Sequence, residues 1–408
     1  MSTHDERLFA GYGGRMLASL AVAWALLQFG RFLLSPLLPA IIDDLGITKV
    51  AAGVALGAFQ GVYAITQYPS GRLSDRFTRA SLIVPGLATL ACGFLLLAVT
   101  VSYPLLLLAA VVVGVGKGLY AVPSRALLSD LFVARRGRAL GLYSAGTDVG
   151  GILASVVGVL VAGGAAAWLP VALDGGRLDW HAPFAPVAVL LACIGVVYVL
   201  WNRDPYEIGR TEIGLVSTIR RLATTREQRE ALVAFSLFYF VVGAWVNFLP
   251  TYLTEAKGFS ESLAAGLFAV VFLVGIWAKP LAGAVSDRVS RRGVAVVTLL
   301  FAGGALVLVE VAGTLPAVVA AIAVFAVGYK AQFPIADAIL LDAAPDANVG
   351  GDLGAARAIF LGIGALGPVY LGVVATTLSY RVAFAGLVAC LLTSAGLLAR
   401  GALRTRRA

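Results

Sequence analysis

The chain has 408 residues, of which 60% are hydrophobic and only 13% charged, with a mean hydropathy of +0.92. Soluble domains average about one-quarter charged residues, so this composition excludes an aqueous globule. The formal charge of +9 is no sign of a nucleic-acid partner, because the basic residues follow the apolar segments rather than forming a patch.

Taken in chain order, apolar stretches predict spanning helices over 17–40, 50–70, 81–100, 105–129, 139–162, 182–201, 231–253, 262–284, 293–312, 316–341, 353–377 and 381–399. Each is long enough to cross a hydrocarbon layer of about 30 Å at about 1.5 Å per residue. The fold class read from this pattern is an all-α integral membrane protein with twelve spans. The first span follows Arg7 and Arg15 and exceeds the roughly 7–15-residue core of a cleavable signal peptide, so it is read as retained. Residues 163–173, with Trp168 and Pro170, are apolar but too short to span. They are expected at the membrane surface, with a re-entrant piece as the alternative. Cys92, Cys193 and Cys390 each fall inside an apolar span and read as packing residues. Neither a metal nor a cofactor is expected.

With the N-terminus inside, the loops and termini on the cytoplasmic side hold 21 Lys and Arg, while the outer loops hold four, Lys49, Arg177, Lys257 and Arg381. By the positive-inside rule both ends face the cytoplasm, and the expected location is the plasma membrane. The long polar stretch 202–230, with six arginines, reads as a cytoplasmic linker loop between halves 1–201 and 231–408. The halves repeat: Gly46 and Gly258, Asp75 and Asp287, Gly116 and Gly328, and Asp130 and Asp342 are each 212 apart. Pro39 and Pro250 differ by 211, and Lys117 and Lys330 by 213. A duplicated six-span unit accounts for these offsets.

The strongest match lies after spans two and eight, where Gly71-Arg72-Leu73-Ser74-Asp75-Arg76-Phe77-Thr78-Arg79 recurs as Gly283-Ala284-Val285-Ser286-Asp287-Arg288-Val289-Ser290-Arg291-Arg292-Gly293. Here the chain resembles the major facilitator superfamily, whose signature in this loop is Gly-x-Leu-x-Asp-Arg-x-Gly-Arg. The resemblance implies two parallel six-helix halves related by an axis along the membrane normal. It also implies a conformational latch made by Gly71, Asp75 and Arg76 and by Gly283, Asp287 and Arg288. Carried over, Asp75 faces the start of span eleven near Gly354, with Arg76 and Asp130 as charge partners. The plainer alternative is a charged turn that keeps a short loop cytoplasmic. The first copy departs from the pattern at Thr78, where Gly is usual. Small faces at Gly53, Gly57 and Gly61, at Gly146, Gly150 and Gly151, and at Gly362, Gly364, Gly367 and Pro368 suit close helix approach.

Six basic residues lie within the spans, although each costs about 2.5–3.5 kcal/mol at a span centre. Arg125, Lys279 and Arg357 are near the cytoplasmic ends, where they can snorkel. Arg31, Lys117 and Lys330 are near mid-span, in spans one, four and ten. The resemblance places those spans around a central cavity, so the three cations are expected to bind an anionic small-molecule substrate. Gln28, Tyr63, Tyr120, Trp245, Asn247, Tyr329 and Gln332 are expected to orient it. The competing reading pairs Lys117 and Lys330 with Asp148 or Asp337, and the two readings are compatible. Asp148 and Asp337 are also candidates for carrying a co-transported proton, whereas Glu310 reads as interfacial.

No phosphate-binding loop occurs, and the only histidines, His4 and His181, lie outside the spans, which speaks against a pump or an enzyme. The function read here is a secondary carrier acting as a monomer in the lipid bilayer, working by proton coupling or exchange. A drug or metabolite:proton antiporter and a non-transporting sensor on the same scaffold stay open. Against the antiporter stand Ala110 and Val113, where an early span-four arginine is usual, and the lack of proline between Arg138 and Leu169.

Overall fold

The computed structural model describes residues 8–162, 179–207, 226–343 and 349–405. Among them the regular elements are all helices: α1 Gly11–Leu33, α2 Leu38–Leu45, α3 Lys49–Arg76, α4 Ala80–Ala98, α5 Tyr103–Leu131, α6 Arg136–Ala162, α7 Phe184–Trp201, α8 Arg226–Glu255, α9 Glu261–Arg288, α10 Arg291–Val311, α11 Leu315–Ala343, α12 Val349–Gly364, α13 Leu366–Thr377 and α14 Tyr380–Thr405. Twelve segments are long and apolar enough to span a membrane. The expectations for 163–173 and for the 208–225 part of the linker lie outside the described residues. Residues 226–230, expected in the linker, begin α8 instead.

Two expected spans are broken, in each case beside a proline. Span one ends as α1 at Leu33, and after a turn holding Pro36 the chain resumes as α2. Span eleven is interrupted at Ala365, because Pro368 has no N–H for the Gly364 carbonyl. That carbonyl lies against α8, where a Cβ on Gly243 would stand 2.1 Å from it. Only glycine leaves room there.

The repeat appears in local structure. Gly46 and Gly258 both take positive φ, 57° and 68°, and close the helices before them. Two residues later Thr48 and Ser260 cap α3 and α9, accepting from Ala51 and Leu263 N–H. It appears in packing too. In the first six spans α1 packs on α6 and α7, α4 on α5 and α7, and α3 on α5; in the last six the corresponding α8 packs on α12 and α14, α10 on α11 and α14, and α9 on α11. Gly116 and Gly328 let α5 reach α4 and α11 reach α10 by the same close approach.

The two sets of spans meet along two seams, α3 against α12 and α13, and α6 against α9. In the first, a Cβ at Gly53 would lie 2.5 Å from the Pro368 carbonyl oxygen, and one at Gly57 2.6 Å from that of Ala365. These contacts lie toward the end of the bundle opposite Arg76 and Arg288. At that opposite end Lys49 pairs with Glu255 at 2.5 Å, and Tyr380 donates to the same carboxylate at 3.0 Å.

Ser35 joins the sets near their axis. Pro250 cannot donate to the Val246 carbonyl, and the Ser35 hydroxyl, 3.1 Å away, takes up that acceptor and lies equally near the Asn247 carbonyl. Ser35 and Val246 are 211 apart, the Pro39–Pro250 offset. Equivalent positions of a two-fold repeat touch only where the axis passes. Ser35→Ala is expected to cost about 1 kcal/mol. The check is the thermal midpoint of the purified protein, which should fall by about 1–2 °C.

Candidate functional site

The site grows from glycine placement on α6. Gly146 and Gly150 both face α1, where Cβ atoms would meet Trp24 and the Ala25 and Phe29 backbone. At about 100° per residue, Asp148 lies on the far side of α6 from these two glycines. It therefore points across the seam to α9, as does Gly151, whose Cβ would stand 2.3 Å from Phe272. On α9, Phe272, Gly275 and Lys279 follow the spacing of one helix face. Glycine at 275 leaves space beside the Asp148 carboxylate, since a Cβ would lie 2.8 Å from its Oδ1 and 3.0 Å from the Lys330 side chain.

In that space one carboxylate serves two cations. Lys330 Nζ donates to Asp148 Oδ1 at 2.8 Å, and Lys279 Nζ donates to Oδ2 at 2.5 Å. Lys330 is 1% exposed and Asp148 4%. Lys330 also lies 4.4 Å from the Phe272 ring centre and 4.9 Å from that of Tyr329. The ion-pair reading of Lys330 with Asp148 is thus what the structure has. Lys279, read from sequence as snorkelling, joins the same pair because α6 covers its face of α9.

Lys117 is different. It is 3% exposed, and among the described residues its ammonium has no hydrogen-bond or carboxylate partner. Three rings surround it instead, Tyr63 at 4.2 Å, Phe59 at 5.1 Å and Trp24 at 6.0 Å. Phe59 and Tyr63 are four apart on α3, on the face turned away from Gly57. Trp24 is fixed by donating to the Thr147 hydroxyl at 2.9 Å and by stacking on Tyr143. Arg31 shares the Phe59 ring with Lys117, and Arg125 shares the Trp24 ring with it and lies beside Tyr143. Arg31 also lies 4.6 Å from the Phe32 ring, which packs edge-on against the Phe272 ring beside Lys330, so shared rings join the cations into one belt from α5 through α1 to α11.

The other expected lining residues divide. Tyr63 and Tyr329 touch the belt. Gln28 is buried with its side-chain oxygen unpartnered, and Trp245 lies against Phe325 with its indole N–H unpartnered. Tyr120 donates to the Leu20 carbonyl at 2.6 Å, within the α5–α1 packing. Asn247 turns back to the Gly243 carbonyl on its own helix. Gln332 donates to Thr298 and the Ala295 carbonyl on α10. It sits two residues from Lys330 and so on the other side of α11. The Asp337 side chain lies outside the described residues.

At the Asp-Arg end, Asp130 pairs with Arg79 at 3.2 Å, and Arg79 also donates to the Ser74 hydroxyl at 2.7 Å and to the Ser74 carbonyl. Arg79 therefore ties α3 to α5, a role its motif position could have suggested. Asp287 pairs with Arg291 at 3.4 Å, and Arg76 and Arg288 are exposed. A Cβ at Gly71 would sit 3.6 Å from Val122 and one at Gly283 would meet open space, so neither glycine is required by close helix approach here. The Asp75 side chain and those near Gly354 lie outside the described residues.

Chemically, a buried cation belt that holds one carboxylate among the described residues can hold an anion. The family model of the Major Facilitator Superfamily matches residues 20–278 and 258–408. The chain is 27% identical over 324 residues, 74% of its length, to a probable sulfoacetate transporter of Cupriavidus necator, covering 70% of that protein. It is 24% identical over 357 residues, 80% of its length, to a glycerol-3-phosphate transporter of Bacillus subtilis, covering 75% of it. A crystal structure of a bacterial homolog of the human lysosomal transporter Spinster, inward-facing and occupied, superposes with a TM-score of 0.79 at 19% identity. That match covers 95% of this chain and 96% of the other.

Proposed function

The chain belongs to the major facilitator superfamily, and from that premise we propose that it carries a small anion by alternating access, its two halves rocking about the belt of Arg31, Lys117 and Lys330. Members of this family are transporters and not enzymes, and this chain is a multi-pass membrane protein. The observation that carries the anion reading is Lys117, a buried ammonium with aromatic neighbours and no carboxylate. An isolated buried charge is expensive, and an anion entering beside Arg31 and Arg125 removes that cost. The relatives named for sulfoacetate and for glycerol 3-phosphate both move anions.

Tyr63 and Tyr329 flank the site, with Gln28 and Trp245 offering unpartnered polar atoms to it. Asp148 is the coupling residue, by exchange or by carrying a proton. The Asp-Arg turns face the cytoplasm, as do both termini, and the unit of transport is the monomer. Liposomes containing the purified protein are expected to accumulate labelled sulfoacetate, glycerol 3-phosphate or another member of a panel of sulfonates, phosphate esters and carboxylates. Transport of hydrophobic cations with no response to any anion would sink this reading in favour of a drug antiporter.

A further inference from the structure

Lys117 and Lys330 lie in corresponding spans, 213 apart, yet among the described residues only Lys330 has a counter-charge. Lys330 receives the Asp148 carboxylate from α6 of the other half. On the other seam, where α12 and α13 meet α3, the close contacts are made by the Ala365 and Pro368 carbonyls and the Val369 side chain, which supply no charge. Lys330 thus borrows its charge across the α6–α9 seam, while Lys117 has no described carboxylate beside it. Arg31 shares the Phe59 ring with Lys117 and lies 4.6 Å from the Phe32 ring, which packs edge-on against the Phe272 ring beside Lys330.

We propose that Asp148 is a tethered counter-anion occupying the second half of a two-headed site, and that the substrate is a small organic dianion with two separate anionic groups. One group binds Lys117 and Arg31; the other displaces Asp148 from Lys330 and Lys279. This deepens the anion-carrier reading and rests on it. Three features support it. The Asp148 bridge crosses the α6–α9 seam, the surface along which the halves must part, so the carboxylate leaves its lysines whenever that seam opens. Two lysines share one carboxylate, which leaves positive charge behind even while the bridge is closed. Gly275 leaves the bridge without a Cβ beside it, so exchange of one carboxylate for another meets no side-chain obstacle from α9. A monoanion satisfies one end of the belt and leaves the other to Asp148; a dianion satisfies both.

The test is binding to the purified full-length protein, followed by thermal stabilisation, with malonate and ethane-1,2-disulfonate as dianions and acetate and ethanesulfonate as their monoanionic counterparts. The wild-type protein is expected to bind a dianion about tenfold more tightly than its counterpart. Asp148→Asn removes the competitor and should tighten dianion binding about tenfold while changing monoanion binding less than twofold. Lys279→Gln, which keeps the Lys330–Asp148 bond, should weaken dianion binding about tenfold and spare the monoanion. It serves also if Asp148→Asn does not fold. Equal shifts for both charge classes, or weaker dianion binding in Asp148→Asn, would overturn the two-headed site while leaving an anion carrier. Binding of none of the four, together with no anion transport in the liposome panel, would overturn the carrier reading itself.

Discussion

Replacing Lys117 with methionine is expected to lower kcat/KM for anion uptake about 100-fold and to leave the fold at least as stable as before. Hydrogen bonds to a charged group contribute about 1.5–3 kcal/mol, and about 2.7 kcal/mol corresponds to 100-fold in rate. Losing an ammonium that has no carboxylate partner among the described residues should remove that contribution from the bound anion. Stability moves the other way. The rings at 4.2–6.0 Å offset part of the desolvation cost, with a cation–π contact worth about 2 kcal/mol when dry, but a buried charge costs several kcal/mol. Methionine keeps the length and packs well against aromatic rings. The paired measurement is uptake in liposomes and the thermal midpoint in detergent. Unchanged uptake, or a midpoint that collapses, would reassign Lys117 to structure.

Gly57→Leu should reduce transport at least tenfold by a different route. A Cβ there already stands 2.6 Å from the Ala365 carbonyl oxygen, and that oxygen belongs to backbone that cannot rotate away. Overpacking commonly costs about 1–3 kcal/mol, and three further carbons on the seam put this case at the upper end or beyond. The strain falls only on the state in which α3 and α13 are seated, so the population shifts toward the state in which they are apart; reversing a 99:1 equilibrium takes about 5.5 kcal/mol. A cysteine placed at Ala365, 6% exposed in the closed seam, should then react faster with a polar maleimide. Gly304→Leu is the control, since its Cβ would meet nothing within 4 Å. Equal labelling in both backgrounds would show that the seam tolerates the larger side chain.

The twelve spans were legible from sequence because lipid demands long apolar helices, and hydropathy reads that demand directly. The breaks at Pro36 and Pro368 were not, since apolar character continues through both and only the lost hydrogen bonds and the space at Gly243 locate them. The 212 offset was legible because it rests on charged and turn residues with fixed jobs, Gly46 and Gly258 among them. Depth along a span singled out Lys117, Lys330 and Asp148, and the structure pairs the last two. Facing was harder. Gln332 and Tyr120 have the right depth but turn to α10 and α1, and Lys279 was set aside for lying near an end although its side chain points along the seam. Which neighbour covers a given face depends on where glycines let helices approach, and that information is three-dimensional.

That Lys117 has no counter-charge among the described residues also has an electrical side. Among the described residues the empty belt holds more basic than acidic side chains, and moving one charge through a membrane potential of 100 mV involves about 2.3 kcal/mol. An empty belt that shifted through even part of that field would respond to voltage, and a belt loaded with a dianion, carrying two positive charges fewer, would respond less. A carrier that turns over easily only when occupied returns most readily with a second anion aboard, and its direction is then set by the two concentration gradients rather than by the potential.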